Sequence, residues 1–567
     1  MTTMLPGPTL EGLLADRAER TPDASAYLFL RDGGDVVDQT LTWAALERRS
    51  RALARRLAAM TAPGDRALLL CPQGLDFLVG FFACLGAGVI AVPTPMPTGS
   101  ARTADGRIAS IIDDCAPAAI LTTAAAAARV RAACEGAQQV VPATIIEIDG
   151  ATSDEAASSS VRRRITPETI AFLQYTSGST ASPRGVRITH GNLVANLTAA
   201  FHMASPEPAA ASVSWLPVTH DMGLIEGVLQ PAFRGHLAVL MSPAAFLQRP
   251  VRWLRAIARY GAARSGGPNF AYDLCVRRVT AEDTAGLDLR SWRDAYNGAE
   301  PVRADTMRAF ASRFAGAGFN PRAFRPCYGL AEATLLVASS RWTPAGGDAA
   351  QNMAPVSCGQ AAPGVDVLIV DPQTRCGCDA GTAGEIWVRG ASVSPGYWRQ
   401  HDGREVFGAR TADGRGPFLR TGDFGLVSNG NLTVTGRLKD VLIVRGYKLF
   451  PQDLEHTAAA AHPAVRPAAV SAVATRADAS GDCIGLAAEI DPRRATTSAD
   501  TDAIIAAIRV AVQHEHGVQL DAVALVRPGG VPRTTSGKVQ RYLCRRGWRS
   551  GGLPMLAEWR RPVAVGG

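Results

Sequence analysis

Two sets of residues in this chain have types and spacing that suit chemistry on a polyanion. The first is the stretch Thr176-Ser-Gly-Ser-Thr-Ala-Ser-Pro-Arg-Gly-Val186, which follows the apolar run Ile170–Tyr175. Thr176, Ser177, Ser179 and Thr180 offer hydroxyls, Gly178 and Gly185 let the backbone close around a ligand, and Arg184 adds charge. Hydroxyls, main-chain N–H groups and a cation together are what phosphate oxygens bind. No Gly-Lys-Ser/Thr closes the stretch, so it is not a Walker loop. The second set is a series of isolated acids and bases near glycines or turns. It comprises His220 and Asp221 in SWLPVTHDMGL, Glu332 in CYGLAEAT, Asp423 in FLRTGD, Lys439 in GRLKD and Lys538 in PRTTSGK. A carboxylate such as Glu332 can hold Mg2+ through its oxygens, and the ring of Tyr328 can stack on a base. Asp423 suits two ribose hydroxyls.

Such groups need a scaffold to converge. Asp65–Cys71 reads as a buried strand, and Ala119–Thr122 and Thr144–Ile148 as further strands. They alternate with helical signals at Ile108–Cys115 and Ala124–Ala133, which predicts an α/β fold with a largely parallel sheet. Residues 9–60 are expected to be helical, from the spacing of Leu10, Leu13, Leu14, Leu46, Leu53 and Leu57. Phe77–Pro93 is continuously apolar but shorter than the ~20 residues of a spanning helix. Gly86 and Gly88 interrupt it, so a buried helix followed by a buried strand is expected. Those glycines with Ala91 imitate a dinucleotide fingerprint, but one placed where a helix ends instead of where it opens.

Further along, Gly191-Asn192-Leu193 opens a helix whose N-terminal amides are expected to face a bound nucleotide. Ser265–Phe270 and Ala295–Pro301 read as tight, backbone-exposing loops. From Val365 the texture changes to short β segments and turns, a small β-rich subdomain. The expected organisation is a domain over 1–436, a hinge at 437–441 around Lys439, and a second domain over 442–567.

Composition bounds the function. A chain of 567 residues is too long for one core. Apolar residues at 47% and charged residues at 19% describe a soluble globular protein. The net charge of +8 and the pI of about 9.0 come without any basic tract of the kind nucleic acid requires. The eleven cysteines form no Cys-x-x-Cys pair, and Cys376-Gly-Cys378 is too tight for zinc. Reduced thiols in a cytoplasm are expected, with no signal peptide at the N-terminus and no transmembrane span.

Taken in order, these motifs resemble those of the adenylate-forming enzymes, which include acyl-CoA synthetases, luciferases and peptide-synthetase adenylation domains. The resemblance implies a large N-terminal domain of two stacked α/β subdomains plus the β-rich part, and a small mobile α+β C-terminal domain. It implies that a carboxylate attacks the α-phosphate of ATP, giving acyl-AMP and pyrophosphate, and that a thiol then takes the acyl group. Thr176, Ser177, Gly178, Ser179, Thr180, Arg184 and Gly185 would cradle phosphates. Thr180 and Glu332 would hold Mg2+. Asn297, Gly298, Ala299, Tyr328 and Gly329 would frame the adenine, and Asp423 with Arg437 the ribose. Lys538 would bridge the carboxylate and the α-phosphate, with His220 also at the catalytic centre. His220, Asp221, Met222, Gly266, Gly267 and Asn269 would line the acyl pocket.

Within the family, SWLPVTHDMGL, SGGPNFAY and YGLAEATLLV look most like fatty acyl-AMP ligases, which deliver a fatty or other apolar acid to the phosphopantetheine arm of an acyl carrier protein. An acyl-CoA synthetase or an amino-acid-activating enzyme remains the alternative. Only about 20 residues, Ala338 to Pro355, separate YGLAEAT from Val356, short for the insertion usual in fatty acyl-AMP ligases.

Overall fold

The structure, a computed structural model, describes residues 9–31, 37–97, 106–134, 144–149, 164–176, 183–205, 211–343, 356–400, 403–444, 447–478, 481–495, 497–533 and 538–562. The chain divides into two compact units. One comprises Met1–Thr421 with Leu426–Val434, the other Gly422–Gly425 with Thr435–Gly567.

In the first unit, one six-stranded sheet runs in the order Thr144–Glu147, Ala119–Thr122, Arg66–Leu69, Ile90–Pro93, Ile170–Thr176 and Arg184–Thr189. Its pairings are parallel except the last, which is antiparallel. Both faces are covered, which is why these strands are apolar without alternation. Ala67 and Leu69 join the core built on Phe77, Phe81 and Phe82 of helix Leu75–Gly86. Leu68 and Leu70 join the core with Ile108, Ile111 and Ile112 of helix Gly106–Cys115 and with Val130 of helix Ala124–Cys134.

A thirteen-stranded sheet carries the remaining described strands of this unit. Ser25–Leu30, Leu237–Met241, Ala211–Ser214, Arg264–Gly267, Asp294–Asn297 and Phe324–Gly329 are its parallel part. The β segments from Ser357 onward extend one end of it through antiparallel pairings. The reading of residues 9–60 as helical needs correction. Helices Leu10–Arg20 and Trp43–Met60 are separated by the antiparallel strands Ser25–Leu30 and Val37–Thr42. The run SAYLFL is rich in aromatic and large apolar residues, and pairing with Leu237–Met241 makes it a buried strand. Ser265–Gly267 is likewise a fully buried strand end and not a loop.

Three parallel strands of this sheet share a buried charge cluster at their amino ends. Arg264 and Asp294 are cross-strand partners, and Arg325 lies one strand further on. The Asp294 carboxylate pairs with Arg325, lies 3.6 Å from the Arg264 guanidinium, and accepts from Ser205 Oγ at 2.9 Å and Ser205 N at 3.0 Å. Arg264 also pairs with buried Glu226. Burial alone would raise the Asp294 pKa, but the Arg264 and Arg325 charges outweigh it and hold the carboxyl below its ordinary value.

The second unit has a sheet in the order Tyr447–Leu449, Leu442–Val444, Gly481–Ile490, Ala522–Val526 and Met555–Arg560, with Val465–Asp478 also paired to Gly481–Ile490. Leu454 and Ala458 of helix Pro451–Ala460 and Ile504, Ile508 and Val512 of helix Ser498–His516 fill its core. Cys544 and Trp548 of helix Arg541–Arg549 pack a second apolar cluster in that unit. Among the described residues, no helix is long and apolar enough to cross a membrane.

Removing one partner of a buried charge cluster strands the others. Asp294→Ala is expected to lower stability by about 3–5 kcal/mol in urea unfolding at neutral pH. The sign with pH follows from the depressed carboxyl. Its contribution is present above the unfolded value of about 3.9 and is lost as pH falls through the lower folded value, so the wild-type advantage should shrink only in acid.

Candidate active site

Thr176 and Arg184 are cross-strand partners, as are Tyr175 and Gly185, so the polar stretch is the connection of an antiparallel hairpin. Ser177, Gly178, Ser179 and Thr180 lie outside the described residues. What the hairpin stands against is described. Gly185 O accepts from Trp398 N at 2.7 Å, Val186 bridges Tyr397, and Arg187 N donates to Gly396 O at 3.0 Å. The Arg184 guanidinium lies 5.3 Å from the centre of the Tyr397 ring. The Tyr397 hydroxyl donates to Glu332 Oε1 at 2.9 Å. Burial first, and then the Glu332 charge, push the Tyr397 phenol well above its ordinary range. Glu332 sits on the short turn Ala331–Ala333, and its own carbonyl accepts from Ser394 N at 2.9 Å.

The helix expected to aim its amides at a nucleotide does not do so. It spans His190–Met203, and its leading N–H groups are taken by protein oxygens. His190 N donates to Thr169 O at 3.0 Å, Gly191 N to Pro167 O at 2.7 Å and Asn192 N to Thr189 Oγ1 at 3.0 Å. Thr189 and Asn192 form a reciprocal cap, which satisfies this end without a ligand.

The other candidates of the first unit cluster at the carboxyl ends of the parallel strands, where open α/β sheets bind ligands. His220 Nδ1 lies 2.7 Å from Asp221 Oδ1, which also accepts from Met222 N at 2.7 Å. Met222 opens a buried π-helical turn, Met222–Leu229. Gly266 and Gly298 are glycines because the neighbouring chain comes too close for a side chain. A Cβ at Gly266 would sit 2.1 Å from Tyr296 O, and one at Gly298 2.5 Å from Cys327 Sγ. Gly267 faces the Trp215 indole and Gly329 backs onto Leu335. Trp215 stacks on Phe246 at 4.0 Å and meets Phe270 edge-on at 6.0 Å, an apolar wall beside Gly267.

Asn269 ties neighbouring segments together. Its oxygen accepts from Asn297 Nδ2 and Arg303 N, and its amide donates to Thr306 Oγ1. Glu300 accepts from Phe270 N at 2.6 Å, tying the same two segments. Ala299 has φ +67° and Thr334, just after the Glu332 turn, +69°. A β-branched residue at positive φ is a backbone outlier. Tyr328 is buried at the end of its strand.

Asp423, Arg437, Lys439 and Lys538 belong to the second unit. Asp423 is buried and accepts from Arg437 Nε at 3.0 Å, so the two ribose candidates are together. Lys439 is exposed, and Asp440 N donates back to Arg437 O at 3.1 Å. Asp440 accepts from Arg541 Nη1 at 2.9 Å, while Glu455 takes Arg541 at both carboxylate oxygens at 2.7 Å. Lys538 is half-buried beside the bridge Arg533–Val539. The base of that loop rests on buried Glu489, which accepts from Val531 N at 3.1 Å and pairs with Arg533 at 3.2 Å.

Tyr397 and Glu489 were not identified by the sequence reading. The signals were there: two aromatics directly after Pro395-Gly396, and a lone acid in the apolar run Ile484–Ile490.

Residues 14–398 match the family described as AMP-binding enzyme, and residues 439–558 the family described as Disco-interacting protein 2-like, AMP domain. The medium-chain-fatty-acid–[acyl-carrier-protein] ligase JamA of Moorena producens is 37% identical, over 98% of this chain and 97% of that protein. The long-chain-fatty-acid–AMP ligase FadD26 of Mycobacterium tuberculosis is 36% identical, over 97% and 98%. The crystal structure of fatty acyl-adenylate ligase from L. pneumophila, in complex with acyl adenylate and pyrophosphate, matches with a TM-score of 0.71 and 34% identity over 98% of both chains.

The close approach at Gly266 gives a direct test of the site's packing. Gly266→Ala would drive a methyl into backbone, and should cost about 1–3 kcal/mol of stability in denaturant unfolding. A variant as stable as wild type would show that the strand end has room to give.

Proposed function

The chain belongs to the AMP-binding family of adenylate-forming enzymes, and we propose that it activates a fatty or related apolar carboxylic acid with ATP and passes the acyl group to an acyl carrier protein. The observation that carries this is the near-full-length identity to a fatty-acid–AMP ligase and a fatty-acid–[acyl-carrier-protein] ligase, spanning both units. In the first step a substrate carboxylate oxygen bonds to the α-phosphorus of ATP, and the bond to the bridging oxygen breaks, releasing pyrophosphate. In the second, the phosphopantetheine sulfur bonds to the acyl carbon, AMP leaves, and the thiol proton goes to solvent.

Two anions must meet in the first step, so cations decide the rate. Lys538 is assigned to the carboxylate and α-phosphate, where its charge offsets the repulsion. Arg184 and the hairpin from Thr176 to Gly185 are assigned to the β- and γ-phosphates. Glu332 with Thr180 would hold Mg2+, which when bound neutralises charge developing on pyrophosphate. A half-buried carboxylate oriented by a phenol fits an ion that takes one or two carboxylates and completes its shell with water and phosphate.

Asn297, Gly298, Ala299, Tyr328 and Gly329 are assigned to adenine, and Asp423 with Arg437 to ribose. The apolar wall of Trp215, Phe246 and Phe270, with Met222, Gly266 and Gly267, is assigned to the acyl chain, and His220 on Asp221 to its carboxylate end. We assign Lys439 to the hinge that lets one pocket serve two chemistries. The eleven free cysteines suit a cytoplasmic setting.

Incubation with ATP, Mg2+ and a series of carboxylic acids, with holo carrier protein and coenzyme A in parallel, tests the reading by mass spectrometry. Better use of coenzyme A would make the protein an acyl-CoA synthetase. Lys538→Ala should slow acyl-AMP formation by about 10²–10³ while transfer from supplied acyl-AMP continues. Equal damage to both steps would remove the lysine from the adenylation role.

Arg545, Arg546 and Arg549 are exposed on helix Arg541–Arg549 and are assigned to steering an acidic carrier protein. Reversing all three charges should slow transfer at low salt, with the difference fading at high salt and acyl-AMP formation unchanged. Wild-type transfer by that variant at low salt would remove the patch from docking.

A further inference from the structure

We infer that Tyr397 is a positioning residue that sets the Glu332 carboxylate and ties it to the hairpin carrying the phosphate-binding stretch. The inference rests on the reading of Glu332 as a metal-binding carboxylate. Three features of Tyr397 act together. Its hydroxyl donates to Glu332 Oε1 at 2.9 Å, its ring lies 5.3 Å from the Arg184 guanidinium, and its backbone bridges Val186. Hydrogen bonds on either side fasten the segment. Ser394 N donates to Glu332 O, Ser394 Oγ donates to Arg187 O at 2.7 Å, and Trp398 N donates to Gly185 O.

Glu332 stands on a turn of three residues, too short to orient a long side chain by itself. The ring of Tyr397 is buried and packs edge-on against Phe407 at 5.0 Å, so the hydroxyl is offered from a fixed place. A donor held in this way limits the carboxylate to orientations that keep the bond. Residues that orient a metal ligand commonly change metal affinity by 10–100-fold when lost. The same ring spans from the carboxylate to the arginine of the hairpin, so one side chain registers the cation ligand against the phosphate ligand.

Tyr397→Phe removes the hydroxyl and keeps the ring against Arg184 and Phe407. Calorimetric ATP binding, with and without Mg2+, would be compared for wild type, Tyr397→Phe, Glu332→Gln and the double variant. The expected result is about tenfold weaker ATP binding for Tyr397→Phe with Mg2+, little change without it, and no further loss when Glu332→Gln is already present. A purely structural role would weaken binding equally with and without Mg2+, or add fully to Glu332→Gln, and either outcome overturns the inference. A strong Glu332→Gln effect beside a silent Tyr397→Phe also overturns it, leaving the reading of Glu332 intact. Unchanged Mg2+-dependent binding in Glu332→Gln overturns that reading and the inference with it.

Discussion

Asp294 is the group on which the ligand-side geometry of the first unit depends. A buried carboxylate is tolerable only with its partners in place, because desolvation costs several kcal/mol per ion. Here the partners come from neighbouring strands, Arg264 and Arg325, and from Ser205 on the segment leading into the sheet. A slip of one residue in any of the three strands would turn its charge toward the opposite, apolar face. The cluster therefore fixes register at the amino ends. The carboxyl ends, a few residues further along each strand, are where Gly266, Asn297 with Gly298, and Tyr328 with Gly329 stand. Glu226 extends the same cluster to the π-helical turn that begins at Met222, so the His220–Asp221 pair and the strand ends share one anchor.

The second unit repeats the principle with different residues. Glu489, buried in its central strand, holds Val531 and Arg533 at the base of the Lys538 loop and also pairs with Arg466 at 3.2 Å. Arg541 clamps Asp440, next to Lys439, onto Glu455 of helix Pro451–Ala460. Burial would lower the Arg541 pKa, but the Glu455 and Asp440 charges outweigh it and hold the guanidinium above its ordinary value. Glu332, Lys439 and Lys538 are at least partly accessible, whereas Asp294, Arg264 and Glu489 are buried. Those anchors are costly unless complete, which is what makes them effective in specifying one geometry.

The motifs were legible in the sequence because each is local. The Thr/Ser/Gly stretch that begins at Thr176, HDMGL, the glycines at strand ends and the lysine loop each announce a backbone that must approach something closely or carry charge at a turn. The alternation of strands and helices over residues 65–148 was legible for the same reason. What escaped the sequence was set by distant pairing. SAYLFL has a helix-compatible distribution of apolar residues, and it becomes a strand because Leu237–Met241 lies beside it, about two hundred residues later. The helix at His190 looks like an anion site until Pro167 and Thr169 are seen to occupy its amides. Tyr397 is one aromatic among many in the sequence. Its meaning comes from Glu332 and Arg184, which only the fold brings to it.

Backbone strain marks the site independently of these contacts. Thr334 holds φ +69° and is almost fully buried, although glycine would adopt that conformation at no steric cost. Its hydroxyl donates to Ser392 O at 2.6 Å, at the start of the segment that carries Tyr397. One such bond contributes about 0.5–1.5 kcal/mol net, against about 1–3 kcal/mol for the strained backbone. The bond alone does not offset the strain, so packing around the turn must hold it. That packing is visible. Ala331 and Ala333 on the same turn are buried in two different apolar cores, and Gly329 leaves no room between its strand and Leu335. The turn that presents Glu332 is thus fixed from three sides: by the cores beneath it, by Thr334 on Ser392, and by Tyr397 on the carboxylate.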